Sequence, residues 1–483
     1  MHQAREDPKP PTPVTEVPTP GLRARVLRGG SMMAARQGLG VLVSLVGVVL
    51  VTRLIGPAEY GLFAASIGVF TYAFCLAGWG IDIYLMRQPE DAVSDRQLHQ
   101  AFTLGLCLSL GFGGAGAAAV GLLDHAVGLG RFAPVLWVFF ACLPLSIVCT
   151  PARVKLERGL AYDRIAVIEL FALFQFQAVA LGLAYAGYGA WSLVASWVVN
   201  QVLMLSLVCA AAKYLPRLAW DGGQNRRMLG FGLGYTASAA AIQLRTLINP
   251  LIVVPFAGAA AAGYVGMATM FAFRLSVIKH LSEKMAVAAL AKVQHRRERV
   301  RELVGEGMRL QVLCVGVPLA GFAWAGPWLI PRLMGSEWRP VADLLPLVAI
   351  GFLASAVFGL HASVLQVYER NWSVAGFNAA LMTALFGLSW WLVPRIGYLG
   401  YGWAEVMTLP TYLLMHLFLK REVGTPDYRV AVVWAAGLSL LMLAPRLGVA
   451  AWVCAAAVLA WPVTWTHLAG HARQLRQAVV VRA

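Results

Sequence analysis

Long apolar runs separated by short polar segments dominate the chain. We count fourteen runs of about 20 residues, the length a helix needs to cross the hydrocarbon core of a bilayer. Their approximate bounds are 33–54, 60–86, 98–123, 132–151, 165–186, 189–212, 231–257, 261–283, 307–331, 341–367, 372–393, 398–421, 428–445 and 447–468. The pattern predicts an all-α polytopic membrane protein with about fourteen transmembrane helices.

Composition supports this class and removes others. Of the 483 residues, 59% are hydrophobic and only 13% are charged, against about 25% charged in an average soluble protein. The seven cysteines lie inside apolar runs without a CxxC pair or interleaved histidines, so we expect neither a disulfide framework nor a metal site. No motif indicates a cofactor.

Basic residues orient the predicted spans. The net charge of +16 would suggest a nucleic-acid partner in a soluble chain, but here the charge is one-sided. With the N-terminus inside, 30 Lys and Arg fall on the cytoplasmic side, and the opposite side carries six: Arg53, Arg131, Arg332, Arg339, Arg395 and Arg446. The split predicts a bacterial inner-membrane protein whose two termini are cytoplasmic, with membrane lipids as its surroundings and no nucleic-acid partner.

Three short sequences recur at nearly one offset. The matched pairs are 56–61 with 258–263, 162–164 with 368–370, and 187–189 with 400–402. Each pair falls at the equivalent loop of a six-span unit, which predicts two pseudo-symmetric six-helix lobes with a cleft between them. The predicted division is a Pro-rich, disordered cytoplasmic tail (1–30), an N-lobe (31–213), a cytoplasmic linker (214–230), a C-lobe (231–421), two extra helices (428–468) and a basic cytoplasmic tail (469–483).

Two arginines fall near the middle of predicted spans. Arg245 lies in span seven and Arg274 in span eight, and neither span has an acidic residue at matching depth. A charge at the bilayer centre costs at least ~2.5–3.5 kcal/mol, so such arginines usually face a wet cavity or a partner. An unpaired guanidinium favours an anion such as a diphosphate, bound through bidentate hydrogen bonds. The alternative is that both bond backbone carbonyls or extend to an interface.

Pro250 predicts a kink just beyond Arg245, because proline removes a helical hydrogen bond. Asn249 lies one turn from Arg245 on the same face, where it contacts either a polar substrate or the freed backbone. A kink without a ligand is the alternative. Glu405 in span twelve and His361 in span ten are candidates for coupling to an ion, although a single membrane histidine is more often a packing residue.

Enzyme signatures are missing from the sequence. It has no GxSxG elbow, HExxH pair, phosphate-binding loop or dinucleotide fingerprint, so we do not expect an enzyme. A membrane enzyme of polysaccharide assembly would need a catalytic cluster at the outer face, and Glu337, Asp343 and His125 are the residues that would test it. A scaffold for a synthase complex is a third class, which the mid-membrane arginines disfavour.

The stretch between the first two spans resembles a family signature. Residues 52–63 read TRLIGPAEYGLF, and Arg53, Gly56, Pro57, Glu59, Tyr60 and Gly61 match the signature of bacterial polysaccharide flippases. These form the Wzx-like branch of the multidrug/oligosaccharidyl-lipid/polysaccharide exporter superfamily. The six residues are consistent with a tight turn in which Arg53 and Glu59 pair, and we do not expect them to bind substrate.

The resemblance implies a flippase for undecaprenyl-diphosphate-linked oligosaccharide, which acts by alternating access in surface polysaccharide biosynthesis. Arg245 and Arg274 would bind the diphosphate and Asn249 the proximal sugar. Polymerase or synthase proteins of the same pathway are possible partners. The alternative is a multidrug or peptidoglycan-precursor exporter of the same superfamily, and a drug exporter would carry carboxylates at mid-depth.

Overall fold

The computed structural model describes residues 20–89 and 93–461, which form helices with no β-strand among them. The first eight helices are α1 (Pro20–Gly78), α2 (Ile81–Met86), α3 (Asp95–Val127), α4 (Phe132–Ala141), α5 (Leu143–Val148), α6 (Thr150–Arg158), α7 (Tyr162–Tyr185) and α8 (Ala190–Ala211). The others are α9 (Gly222–Gln243), α10 (Val254–Leu275), α11 (Val277–Val293), α12 (Arg297–Met334), α13 (Arg339–Val367), α14 (Asn371–Ile396), α15 (Leu399–Met407), α16 (Tyr412–Val423), α17 (Arg429–Leu447) and α18 (Val449–Ala460). The predicted all-α class is confirmed.

Ten helices within the described residues are long and apolar enough to cross a membrane. Two of them, Val43–Gly78 and Gly222–Leu275, each contain two of the predicted spans. The predicted span 398–421 is divided between α15 and α16, and the end of 447–468 lies outside the described residues. The polytopic membrane architecture is therefore confirmed, whereas the count of fourteen spans stays a prediction.

The helix α1 begins at Pro20, inside the stretch 1–30 that the sequence assigned to a disordered tail. Pro20 is the last of the N-terminal prolines, and proline is favoured in the first turn of a helix because its missing N–H has no acceptor there. Good helix formers such as leucine, arginine and alanine follow it. Residues 1–19 and the basic tail 469–483 lie outside the described residues.

The two predicted repeats show the same backbone break. Gly56 interrupts α1 with φ 77° and ψ 171°, and Gly258, 202 residues later, interrupts α10 with φ 85° and ψ 171°. A residue with a Cβ adopts positive φ only with strain, so glycine is required at both positions. The break therefore belongs to the repeated unit. We call α1–α8 the N-lobe and α9–α16 the C-lobe; the boundaries predicted from the sequence stay predictions.

The two lobes meet reciprocally just beyond these breaks. A Cβ added to Gly61 would lie 1.7 Å from the Ala259 carbonyl oxygen, and one added to Gly263 would lie 2.2 Å from the Pro57 carbonyl oxygen. Residues 57 and 259 occupy equivalent positions in the repeats, as do residues 61 and 263. Such an exchange of equivalent contacts is what a pseudo-two-fold axis between the lobes produces. We call the surface where α1 packs against α9 and α10 the seam.

The seam continues toward the other end of α1. A Cβ on Gly68 would lie 2.4 Å from the Thr246 carbonyl oxygen, so the backbones touch there as well. Further along, the Trp79 Nε1 donates to the Leu229 carbonyl oxygen at 3.0 Å, and the indole covers Gly232. The cleft expected between the lobes is therefore largely closed along the seam in this structure, apart from a small cavity that residues of both lobes line.

The remaining helices complete each lobe. The largest buried cluster belongs to the C-lobe and is formed mainly by α10, α12 and α13. Helix α17 packs against α12 and α13, so the extra helices attach to the C-lobe rather than to the seam. Two smaller clusters build the N-lobe around α1, α3 and α4 and around α2, α3 and α6.

Candidate functional site

A cavity of about 990 Å³ lies inside the C-lobe beside the seam. We call it the C-lobe cavity. Segments of α10, α11, α13, α14, α15 and α16 form its wall, and α1 contributes Thr71. It extends from Arg245 and Glu405 at mid-helix to Glu283 and Gln366, toward the end opposite the Gly56 and Gly258 breaks. Its volume is at the upper end of the range for small-molecule sites, about 300–1,000 Å³.

Arg245 lines this cavity and is bonded to Glu405. Its Nη2 donates to Oε1 of Glu405, whose side chain is 5% exposed, while 29% of the Arg245 side chain is exposed. The guanidinium also lies over the Phe352 ring, with Cζ 5.2 Å from the centroid. The expectation that Arg245 has no acidic partner is therefore wrong. Depth along spans seven and eight did not reveal it, because the carboxylate comes from a helix 160 residues away.

A second pair of opposite charges lines the same cavity. The Lys279 Nζ lies 3.6 Å from the Glu283 Oε1 one turn along α11 and also donates to the Ser355 hydroxyl. Arg245, Lys279, Glu283 and Glu405 are the charged residues of the lining among the residues that the structure describes. Their formal charges sum to zero, so the cavity contains strong hydrogen-bonding groups without a net charge. The sequence analysis did not select Lys279 or Glu283, although their spacing of four residues in an apolar helix is a visible signal.

The chain leaves α-helical geometry where Arg245 and Asn249 lie. Leu244–Leu247 form a 3-10 turn and Asn249–Val253 a π turn, whose second residue is Pro250. Such switches occur where a proline removes a backbone donor, and π turns are frequent at functional sites. The predicted kink at Pro250 coincides with this switch.

Arg245 and Asn249 meet in a smaller cavity of about 250 Å³ at the seam. Thr71 also lines it, so this seam cavity adjoins the C-lobe cavity. The Asn249 Nδ2 donates to the Ala262 carbonyl oxygen at 3.4 Å, while its buried Oδ1 has no hydrogen-bond partner among the described residues. An unsatisfied buried acceptor costs about 1–3 kcal/mol, which a ligand donor or a water molecule would recover.

Arg274 and His361 line none of these cavities. The Arg274 Nη2 donates to the Ser44 hydroxyl across the lobes at 3.1 Å, so it ties α10 to α1. The His361 Nε2 lies 2.5 Å from the Tyr428 hydroxyl, which is also 2.8 Å from the His416 Nδ1. The Tyr428 hydroxyl thus lies within hydrogen-bonding distance of both imidazoles. The structure thus brings Arg245, Asn249 and Glu405 together and leaves Arg274 and His361 apart.

The turn at Gly56 is held by contacts that the sequence did not predict. Arg53 donates from Nη1 to the carbonyl oxygens of Arg332 and Leu333, both at 3.3 Å. Trp338 donates from Nε1 to the Thr52 carbonyl oxygen at 3.2 Å. These bonds tie the end of the first span to the C-lobe beside the seam.

Glu59 does not pair with Arg53, contrary to the prediction. Its Oε1 lies 2.6 Å from the Arg131 Nη1, and its Oε2 accepts from the Ala190 N–H at 2.9 Å. The carboxylate therefore joins the starts of α4 and α8 within the N-lobe. The Tyr60 ring packs edge-on against Trp338, with 5.7 Å between centroids. Tyr60 therefore links the N-lobe to Trp338 of the C-lobe, and neither Glu59 nor Tyr60 lines the C-lobe cavity.

The arrangement favours reversible binding of a polar group rather than covalent chemistry. The C-lobe cavity offers a guanidinium, an ammonium, two carboxylates and several hydroxyls on a largely apolar wall. The described residues contain no group of three or more His, Cys, Asp or Glu side chains placed to hold a metal ion. An anionic ligand at Arg245 would compete with Glu405, and a cation at Glu405 would compete with Arg245.

Two solved structures resemble this fold. Lipid II flippase MurJ, in an inward closed conformation, has a TM-score of 0.66 at 11% sequence identity, covering 94% of this chain and 100% of that one. An inward-facing multidrug resistance MATE family transporter has a TM-score of 0.63 at 12% identity, covering 79% and 94%. At these identities the likeness concerns the fold alone.

Sequence comparison reaches a family. The succinoglycan biosynthesis transport protein ExoT of Rhizobium meliloti (strain 1021) is 24% identical over 345 residues, which cover 69% of this chain and 67% of that protein. The lipopolysaccharide biosynthesis protein WzxC of Escherichia coli (strain K12) is 22% identical over 422 residues, covering 84% and 83%. A sequence model described as polysaccharide biosynthesis protein matches residues 50–343. This match spans more than half of the chain and includes the signature at 52–63, so the chain belongs to the family of polysaccharide biosynthesis proteins.

Proposed function

We propose that this protein is a flippase that moves undecaprenyl-diphosphate-linked oligosaccharide across the bacterial inner membrane for the synthesis of a surface polysaccharide. Membership of the family and relatives named for the transport or biosynthesis of polysaccharides support the pathway. The polytopic fold supports transport. The protein is then a transporter and not an enzyme.

One observation carries the proposal: a buried guanidinium that borders two adjoining cavities and is held by a single carboxylate. Arg245 lines both the C-lobe cavity and the seam cavity and bonds to Glu405. A diphosphate offers a planar guanidinium several oxygens and more negative charge than one carboxylate does. The diphosphate therefore replaces Glu405 at Arg245. Lys279, in the same cavity, is a second cation for the same group.

This exchange provides a route for ion coupling. Once Arg245 turns to the diphosphate, Glu405 is a carboxylate buried without its cation, a state that burial disfavours strongly. It becomes neutral by taking a proton, or it binds a cation. The energy of an ion gradient is thereby linked to occupation of the cavity. His361 bonds to Tyr428 outside the linings, so the proposal assigns coupling to Glu405.

The other predicted residues take different parts. Asn249, beside Arg245 in the seam cavity, contacts the sugar next to the diphosphate through its unpaired Oδ1. Arg274 bonds to Ser44 across the lobes, and it reaches a diphosphate only if the lobes move apart. The one-sided distribution of Lys and Arg supports cytoplasmic termini. The Gly56 and Gly258 breaks then face the periplasm, and the C-lobe cavity extends toward the cytoplasm.

A drug exporter is the second candidate, because Glu405 and Glu283 are carboxylates within the spans. Each has a cation beside it, Arg245 and Lys279 respectively, so the cavity has no net negative charge to attract a cationic drug. The present geometry therefore favours an anionic head group. Accumulation of a cationic dye in cells that lack the protein would support the drug exporter.

The test uses a strain that lacks the gene, complemented with the wild type, with Arg245→Ala or with the control Arg227→Ala. Arg227 is exposed, and its Nε donates to the Gly223 carbonyl oxygen of its own helix. We expect the deletion and Arg245→Ala to accumulate lipid-linked oligosaccharide and to lose surface polymer by about tenfold or more, the effect of losing a charged hydrogen-bond partner. Arg227→Ala should restore both.

Membrane levels of each variant are compared by immunoblotting, because a lost protein would imitate a lost activity. Normal polymer with an unchanged lipid pool in the deletion strain would contradict the flippase. Loss of polymer without accumulated lipid would indicate an enzyme or scaffold that acts earlier. Full export by Arg245→Ala would leave the flippase standing and remove Arg245 from its site.

A further inference from the structure

A third cavity, of about 420 Å³, lies inside the N-lobe. We call it the N-lobe cavity. Its wall consists of the end of α1, α5 with α6, and the facing parts of α7 and α8. The volume falls within the range of sites for small polar molecules. The function proposed above makes no use of it.

The N-lobe cavity is the counterpart of the C-lobe cavity. Its four walls come from the second, fourth, fifth and sixth spans, and their equivalents, the eighth, tenth, eleventh and twelfth spans, line the C-lobe cavity, to which the seventh span adds Arg245 and the second span adds Thr71. The same hollow therefore recurs six spans later in the repeat. A cavity present in both repeats is a property of the shared fold, and the side chains that line each cavity determine which ligand it binds.

The charged residues of the N-lobe cavity favour an anion less than those of the C-lobe cavity do. The Arg153 Nη2 lies 2.8 Å from the Glu169 Oε1, and its Nε lies 3.0 Å from the Glu157 Oε1, a carboxylate outside the lining. This guanidinium therefore contacts two carboxylates, whereas Arg245 is bonded to Glu405. A diphosphate at Arg153 would meet repulsion from both carboxylates, so the N-lobe cavity is better suited to an uncharged group.

The uncharged side chains call for a ligand that both donates and accepts hydrogen bonds. The buried Oδ1 of Asn200 has no hydrogen-bond partner among the described residues, so it needs a donor, which an ionised phosphate lacks. The neighbouring Gln201 donates from Nε2 to the Ser146 hydroxyl at 2.7 Å. Sugar hydroxyls donate and accept at once. Phe74 and Phe176 add apolar surface to the wall, against which the C–H face of a sugar ring can pack.

The two lobe cavities approach each other at one helix. On α1, Thr71 lines the C-lobe cavity and Phe74, three residues later, lines the N-lobe cavity. Residues three apart are neighbours on a helix surface, so the two linings come close together at this point of α1. A diphosphate in one cavity and a sugar of the same molecule in the other are therefore within the reach of one oligosaccharide.

We propose that the N-lobe cavity is a binding site for the saccharide part of the substrate, with Asn200 and Gln201 as its main contacts. The inference rests on the proposed function, since the diphosphate at Arg245 brings the sugars within reach. The site recognises neutral, hydroxyl-rich rings. The N-lobe cavity discriminates between oligosaccharides, whereas the C-lobe cavity binds the diphosphate that all of these substrates share.

Two lipid probes separate the two sites. The full-length protein is placed in lipid nanodiscs, and dissociation constants are measured for undecaprenyl diphosphate and for the undecaprenyl-diphosphate-linked oligosaccharide extracted from the native host. Asn200→Leu and Gln201→Leu each remove the amide while keeping much of the side-chain volume. Gln177→Leu is the matched control, because Gln177 lies on α7 against Gly47, outside the lining of the cavity.

We expect Asn200→Leu and Gln201→Leu to weaken oligosaccharide binding about tenfold and to leave the sugar-free probe unchanged, because one buried hydrogen bond to the sugar is lost. Arg245→Ala should weaken both probes, and Gln177→Leu neither. The sugar-free probe also reports correct folding of each variant.

Three results would overturn the inference. If the wild type binds the oligosaccharide and both cavity variants bind it equally well, the sugar lies elsewhere and the flippase stands. If the cavity variants weaken both probes alike, their effect is on packing rather than on the sugar. If the wild type binds neither probe, the proposed function itself fails, and the saccharide site fails with it.

Discussion

At the scale of single residues, the ion pair of Arg245 and Glu405 is the central polar interaction of the C-lobe cavity. Both charged groups lose hydration when the protein folds, and their mutual attraction in the low-dielectric interior offsets the free-energy cost of that desolvation. The same pair also makes the cavity responsive to ligands, since an anion competes with Glu405 for Arg245 and a cation competes with Arg245 for Glu405. Stability of the empty protein and binding of the substrate therefore depend on the same bond.

The pair should show strong coupling in a double-mutant cycle. Removing one partner of a buried pair costs about 3–5 kcal/mol because the other charge is left unpaired. The 29% exposure of Arg245 places this pair at or below the lower end of that range. We expect Arg245→Met and Glu405→Gln each to lower the melting temperature of the detergent-solubilised protein, and the double variant to lose clearly less than the sum.

The exposed pair of Arg299 and Glu302 is the control for this cycle. Their side chains are 54% and 60% exposed and lie 2.7 Å apart, and pairs of this kind contribute about 0–1 kcal/mol. Their cycle should therefore be additive. Additive losses at Arg245 and Glu405 as well would contradict an energetically coupled buried pair.

At the scale of helices, glycines decide where the lobes touch. Gly56 and Gly258 break their helices with positive φ, and Gly61 and Gly263 then admit the backbone of the opposite lobe. In both repeats the sequence keeps the glycines five residues apart, so one short motif encodes a bend and a contact.

Gly61→Ala should disturb the seam. The added Cβ would lie 1.7 Å from a backbone oxygen, which no rotamer change can relieve, so the helices must move apart. Overpacking of this kind typically costs about 1–3 kcal/mol. We expect a lower melting temperature and weaker restoration of surface polymer in the deletion strain. Gly111→Ala, at a helical glycine with nothing within 4 Å of the added Cβ, is the control and should behave as the wild type. Equal stability of the two variants would show that the seam is not tightly packed.

Much of the helical architecture could be predicted from the sequence. The apolar runs predicted a polytopic membrane protein. The offset of 202 residues between the repeats identified Gly56 and Gly258, which adopt the same positive-φ backbone conformation. The predicted domain boundaries, among them the tail 1–30, stay predictions. The site was only partly accessible, since depth along a span identifies Arg245 but cannot show which distant helix supplies Glu405. The predicted pairing of Arg53 with Glu59 was wrong for the same reason, because the actual partners of both residues are distant in the sequence.

At the scale of the whole molecule, a pseudo-two-fold axis runs through the seam. A Cβ on Gly266 would lie 3.0 Å from the Cβ of Ala64, and these two residues occupy equivalent positions in the repeats. Equivalent residues that touch each other must lie at the axis. In alternating access one lobe rocks against the other and the seam opens, so a contact across the seam reports whether the lobes separate.

A cross-link at the axis should therefore stop transport. In a variant without the seven native cysteines, Ala64→Cys with Gly266→Cys places the two Cβ atoms close to the ~3.5–4.5 Å separation of a disulfide. We expect oxidation to abolish the restoration of surface polymer and reductant to return it, because the bond holds the two lobes together. The control is Gly437→Cys with Val458→Cys, which has the same 3.0 Å separation but joins α17 to α18 away from the seam. Oxidation of the control should leave export unchanged. Full export by the completely cross-linked Ala64→Cys, Gly266→Cys protein would mean that the substrate crosses without separation of the lobes at the seam, and a mechanism that opens the seam would then have to be abandoned.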